Sequence, residues 1–207
     1  MASRRRQRVG LLGGSFNPAH GGHLHISREA LRRLALDEIW WLVSPQNPLK
    51  PASGMALLAE RIAAARAIAT DPRIRVTDLE ARLGTAYTAD TLKVLNTRFP
   101  RTRFVWLMGA DNLVQLRHWD RWPGIFRAAP IAVFARPSYC LVALTDLAAR
   151  RFAGRRVAPG RARRLAELAP PAWVFFPSRL DTRSATQIRS RLAAGRGRSS
   201  RGGATTR

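Results

Sequence analysis

Apolar positions along this chain fall into short blocks of two alternating kinds. Val9 to Leu12 is an apolar run that ends at Gly13-Gly14, and Glu38 to Val43 (Glu-Ile-Trp-Trp-Leu-Val) is apolar and partly β-branched. Both have the character of buried parallel strands. Between them, Leu24 to Leu36 carries its apolar residues at helical spacing, so residues 9–43 read as a strand–helix–strand unit. The alternation continues with a helix over 56–69, a strand over 74–77, a helix over 89–96 and a strand over 103–108 that stops at Gly109. A strand over 131–135 follows Pro130, another spans 173–176, and a final helix covers 184–194. Such alternation predicts an α/β fold, a Rossmann-like doubly wound parallel sheet with helices on both faces in a single domain. Ligands of such sheets bind beyond the carboxyl ends of the strands, where strand order reverses. The Arg- and Ala-rich stretch 143–168 reads only as helical and exposed. Residues 9–194 form the expected domain, flanked by a basic tail over 1–8 and a Gly/Arg/Ser-rich tail over 195–207, both read as disordered.

Composition narrows the setting. A chain of 207 residues, 46% apolar, supports one substantial core. No run approaches the roughly 18 to 20 apolar residues that cross a membrane, and the basic start has no secretory run behind it, so a cytoplasmic protein with no membrane partner is expected. Cys140 is the only cysteine, which rules out an intramolecular disulfide and a cysteine-rich metal site. The formal charge of +23 points by itself to nucleic acid. Of the 36 basic residues, however, only Lys50 and Lys93 are lysines, the bias that arginine-rich codon usage produces. A solvated arginine surface with some pull on anionic ligands therefore accounts for the charge, and nucleic acid is not the expected partner. A homo-oligomer is compatible with the chain.

The chemistry concentrates at the first turn, Gly13-Gly14-Ser15-Phe16-Asn17-Pro18-Ala19-His20-Gly21-Gly22-His23. A glycine-rich turn lets backbone N–H groups face a phosphate, and the following helix adds the positive end of its dipole. His20 and His23 are three apart and share a face, where both are expected to be partly solvent-facing. Two imidazoles there can donate to phosphate oxygens and stabilise charge as an α-phosphorus is attacked. The bland alternative is a tight turn whose histidines only cap and pack. A zinc site would lack a cysteine and an obvious third ligand, so no metal ligands are assigned.

The string Gly13 to His23 resembles the signature of the nucleotidyltransferase superfamily, in a form similar to the bacterial nicotinate-nucleotide adenylyltransferase family. The resemblance covers about residues 9–192. It implies that His20 and His23 are catalytic, contacting the ATP phosphates and stabilising the pentacoordinate transition state, and that Gly13, Gly14, Ser15 and Phe16 bind ATP. Asn17 stands where many members have Asp. Ser184-Ala185-Thr186-Gln187-Ile188-Arg189 resembles the second signature, departing from it at Arg183 and Ala185. Hydroxyls at a helix start also cap it, but the resemblance assigns Ser184, Thr186 and Arg189 to the ATP phosphates. Lys50, in the loop shaped by Pro45, Pro48 and Pro51, is expected to assist the triphosphate. Tyr87-Thr88-Ala89-Asp90-Thr91 resembles the family's Tyr-Thr-x-Asp-Thr, which implies that N–H groups near Thr88 receive a pyridine carboxylate; as an alternative, Thr88 or Asp90 simply caps the helix. Trp119 is expected to stack on the nicotinate ring, though a tryptophan beside an apolar strand is as readily core, and Asp111 to sit where the two nucleotides meet. His118 reads equally as a surface residue.

The implied reaction is nicotinate mononucleotide plus ATP giving nicotinate adenine dinucleotide and pyrophosphate, in NAD biosynthesis. The attacking phosphate is already an anion and no nucleophile constellation is present, which favours direct in-line displacement with Mg²⁺ bound chiefly through the ATP phosphates. Four alternatives stay open at this point. Nicotinamide mononucleotide could be the acceptor. A pantetheine-phosphate adenylyltransferase usually has Thr where His20 stands and lacks the Tyr-Thr-x-Asp-Thr segment. The remaining two are a basic nucleic-acid-binding protein and a sensor that binds ATP or NAD without turnover.

Overall fold

The computed structural model describes residues 6–45, 54–135 and 139–177. The chain opens with β1 (Gln7–Gly14), α1 (Gly21–Leu34) and β2 (Glu38–Val43). There follow α2 (Leu58–Ile68), β3 (Ile74–Thr77), α3 (Leu79–Leu83), α4 (Thr88–Arg98) and β4 (Thr102–Gly109). The remainder is α5 (Ala110–Gln115), α6 (Trp122–Ala128), β5 (Ile131–Phe134), α7 (Cys140–Thr145), α8 (Leu147–Arg151), β6 (Arg156–Val157) and β7 (Trp173–Phe176).

All seven strands lie parallel in one sheet of order β3-β2-β1-β4-β5-β7-β6. The chain works outward from β1 to β3 and then returns to the other side of β1 to lay down β4. Strand order therefore reverses between β1 and β4, and the crevice beyond their carboxyl ends is where this topology binds ligands. Side chains alternate across the sheet as the pleat requires: Val105 and Leu107 of β4 enter one apolar cluster with Ile26, Leu31 and Leu34 of α1, while Phe104, Trp106 and Met108 enter the other with Leu92 and Leu95 of α4. The expected doubly wound architecture is the one observed.

Several boundaries differ from the sequence reading. Gln7 and Arg8, expected in the tail, are the first residues of β1; the Arg8 N–H donates to Asp37 Oδ2 at 2.8 Å and the Asp37 N–H returns a bond to the Arg8 carbonyl. α1 starts at Gly21 rather than Leu24, because its first turn is glycine and histidine and shows no apolar period. The short helices α3, α5 and α6 are too brief to display one. Residues 143–168 are not one exposed helix. They comprise the end of α7, α8, two 3-10 turns and the edge strand β6, and they bury Ala148, Ala149, Phe152, Ala162, Leu165 and Ala166. Alanine is small enough to suit either environment, so its spacing there carried no signal. The expected helix over 184–194 and the tail over 195–207 lie outside the described residues. Among the described residues no helix is long and apolar enough to cross a membrane.

Candidate active site

Gly13 and Gly14 end β1, paired with Leu42 and Val43 of β2. A Cβ on Gly13 would collide with Cη2 of Trp106, so glycine there makes room for an indole of the neighbouring strand. That is a different reason from the phosphate turn the sequence suggested. The residue that turns the chain is Phe16, whose φ of 46° lies in the left-handed region. Its ring is 1% exposed, stacked on Trp41 at 5.1 Å and set against His23 at 4.6 Å. Phe16 is expected to bind ATP; its side chain packs between Trp41 and His23.

The two histidines form the start of α1. His20 is the N-cap, and its Nδ1 accepts the Gly22 N–H at 3.1 Å. His23, at the third helical position, accepts the His20 N–H on its own Nδ1 at 3.2 Å, and the ring centroids are 4.0 Å apart. This is a capping box built from imidazoles. In the neutral ring an accepting Nδ1 puts the proton on Nε2, so both side chains are held in the tautomer that donates through Nε2. The bland capping alternative and the functional one are thus compatible, each using a different ring nitrogen. The expectation that both imidazoles are partly solvent-facing holds for His23 and fails for His20, which is 4% exposed. A hydrogen-bonded chain anchors the helix behind them: Trp41 Nε1 donates to Ser27 Oγ at 2.8 Å and Ser27 Oγ donates to the His23 carbonyl at 2.9 Å.

Sequence reasoning missed Arg61. It lies on α2, is 3% exposed, and donates to four backbone carbonyls: Ser15 at 2.6 Å, Ser44 at 2.7 Å, Pro45 at 2.9 Å and Ala56 at 2.9 Å. Burial lowers its pKa from the ordinary value, yet the fork geometry of guanidinium satisfies all four acceptors. The turn after β1 and the loop after β2 are thereby held by one side chain. No spacing rule singles out one arginine among so many. Asn17 adds a second tie, its Nδ2 donating to the Gly54 carbonyl at 3.1 Å and its Oδ1 accepting the Ala56 N–H at 3.3 Å. An ionised Asp could accept but not donate, so the amide suits this position.

On the other side of the switch point, β4 ends at Gly109 and Asp111 follows in the first turn of α5. Tyr87, 41% exposed, is the N-cap of α4, and no side chain caps that helix, so the Thr88 or Asp90 cap weighed above is not present. Asp90 is engaged elsewhere, at 2.6 Å from Arg121 Nη2, and the Arg121 guanidinium lies over the Tyr87 ring at 5.8 Å. Arg121 thus joins the start of α4 to the segment carrying Trp119, which is half-buried against the second cluster. His118 is exposed, as a surface residue would be. Lys50, Ser184, Thr186 and Arg189 lie outside the described residues.

The sequence matches the cytidylyltransferase-like family over residues 11–191. It is 55% identical over 184 residues to a protein of Parvibaculum lavamentivorans, covering 89% of this chain and 92% of that one, and 52% identical over 184 residues to a protein of Methylorubrum extorquens, covering 89% and 100%. Both bear the name "Probable nicotinate-nucleotide adenylyltransferase". The fold is shared with Plasmodium falciparum nicotinic acid mononucleotide adenylyltransferase, solved with NaAD (TM-score 0.68, 17% identity, 89% of this chain and 83% of that one) and with APC (TM-score 0.66, 16% identity, the same coverage). With its histidine pair at the β1–β4 switch point and this degree of identity over most of its length, the chain belongs to the nicotinate-nucleotide adenylyltransferases of the cytidylyltransferase-like family.

Proposed function

We propose that this protein joins ATP to nicotinate mononucleotide, forming nicotinate adenine dinucleotide and releasing pyrophosphate, as a step of NAD biosynthesis. The observation that carries the reading is the imidazole pair at the start of α1, both rings fixed with Nδ1 accepting so that Nε2 donates. The phosphate oxygen of the mononucleotide attacks the α-phosphorus of ATP, the bond to the pyrophosphate oxygen breaks, and pyrophosphate leaves with that electron pair. No proton need be removed from the attacking group, so the protein's work is positioning and charge stabilisation. His20 and His23 donate to the phosphate oxygens on which charge gathers. Ser15 and the end of β1, held by Arg61, shape the ATP side, together with Lys50, Ser184, Thr186 and Arg189.

Tyr87, Thr88, Asp111 and Trp119 form the acceptor side. The start of α4, without a side-chain cap, offers N–H groups and a positive dipole end to the pyridine carboxylate. A divalent cation, Mg²⁺ in this reading, neutralises charge across the triphosphate when bound. Phosphate and water oxygens are its expected ligands. Incubation with ATP, nicotinate mononucleotide and Mg²⁺ tests the reaction. Dinucleotide and pyrophosphate should appear in equal amounts; ATP consumption without dinucleotide would contradict it.

A further inference from the structure

The first turn of α4 carries a carboxylate of its own, placed to compete with an anionic acceptor. The Asp90 and Thr91 N–H groups already donate to the Tyr87 carbonyl at 3.0 Å each, so those of Thr88 and Ala89 are what the helix start offers an anion. Asp90 is the third residue of that helix. An acidic side chain at this position ordinarily folds back onto the N–H groups before it or settles in the positive field beside them, filling the place of a ligand. Here no side chain caps α4, and the Asp90 carboxylate is turned to Arg121 instead, with Oδ2 2.6 Å from Nη2.

Arg121 precedes α6 at φ 48° and ψ 35°, a left-handed backbone that glycine or asparagine adopts with less strain. The backbone therefore does not call for an arginine; the side chain supplies the reason. Its Nε donates to Asp120 Oδ2 at 2.6 Å, its Nη2 donates to Asp90, and the guanidinium lies over the Tyr87 ring at 5.8 Å. Exposed ion pairs add little to stability, so the fold does not depend on this one. Its effect falls on the charge beside the helix start, where Arg121 offsets one of the two negative charges of Asp90 and Asp120.

We infer that Arg121 is a specificity-determining residue: by drawing the Asp90 carboxylate to itself it leaves the N–H groups of Thr88 and Ala89 to the carboxylate of the acceptor, and so favours the acid over the amide. This rests on the assignment of that carboxylate to the start of α4. Nicotinate and nicotinamide mononucleotides differ by one negative charge, at the substituent that meets these N–H groups, so the difference between the two affinities isolates the contribution of Arg121. Glu80 of α3, 6% exposed with Oε1 3.2 Å from Thr91 Oγ1, adjoins the same turn and is common to every protein compared below.

The test is the KM for nicotinate mononucleotide set against the inhibition constant of nicotinamide mononucleotide, in the full-length wild type, Arg121→Gln, Asp90→Ala and the double variant. Arg121→Gln frees Asp90 to turn to the helix start and should weaken the acid relative to the amide roughly threefold, the size of one charge at a helix terminus. Asp90→Ala removes the competitor and should strengthen the acid relative to the amide. Added to Arg121→Gln, it should return the acid at least to its wild-type standing. The KM for ATP should stay the same throughout. A mere tie between α4 and the Trp119 segment would weaken acid and amide together and leave their ratio unmoved. That result, or a double variant no better than Arg121→Gln, would overturn the role. Should Arg121→Gln not fold, Asp90→Ala decides alone: a stronger preference for the acid supports the role, and an unmoved or weaker one refutes it. Absence of any dinucleotide in the wild type would overturn the reaction itself and the role with it.

Discussion

His23 Nδ1 lies 3.2 Å from the backbone nitrogen of His20, and His20 Nδ1 lies 3.1 Å from that of Gly22, so the two candidate catalytic rings also cap the helix that carries them. The two duties can be separated. Replacing either histidine with Ala should lower kcat by about a hundredfold or more and also cost about 1 kcal/mol of stability through the lost cap. His20→Asn and His23→Gln supply a cap acceptor at the same positions and should keep the stability while losing the turnover. Thermal melts and initial rates on the four variants check this; wild-type rates in the two amide variants would reduce the rings to caps.

Arg61 holds the carbonyls of Ser15, Ser44, Pro45 and Ala56. Arg61→Met leaves these acceptors without their shared donor and should cost about 3 kcal/mol or more in urea denaturation. Lys keeps the charge but lacks the fork, so Arg61→Lys should lie between the two and raise the KM for ATP. A variant as stable as the wild type would show that water replaces the guanidinium.

Trp119→Ala should raise the KM for the mononucleotide roughly tenfold, as loss of a stacking face does, and spare that for ATP. If the ATP constant moved instead, the two subsites would be reversed.

The parallel sheet was legible because its strands are short apolar runs set apart by turn residues, and the switch point followed once the first turn was seen to end β1. His20 and His23 stood out by motif, but the packing of His23 against Phe16 and Trp41 is a tertiary contact that the motif does not show. Glu80 and Arg61 were not legible. Each is a charged residue on a helix, where exposure is the usual outcome, and only the packing shows that α3 turns its carboxyl inward and α2 its guanidinium. Gly13 was read as phosphate-facing, and the sequence did not show that glycine there also makes room for Trp106, a contact between two strands far apart in sequence.

Glu80 ties folding to pH. Its carboxyl is raised from 4.5 to about 7 by burial, so the native state holds a proton that the unfolded chain releases earlier. The contribution is fully present below about pH 4.5 and is lost as pH rises through about 7. Denaturant titrations at several pH values should show wild-type stability falling across that window relative to Glu80→Gln. A difference that stays constant with pH would mean that Glu80 titrates alike in the native and unfolded states.

The central claim is the choice of acceptor, and the most direct measurement is kcat/KM for pyrophosphate release with ATP and each of nicotinate mononucleotide, nicotinamide mononucleotide and phosphopantetheine. The acid should be preferred over its amide, with phosphopantetheine inert. Equal use of acid and amide would contradict the placing of a carboxylate at Thr88, and pyrophosphate release with none of the three would contradict the reaction.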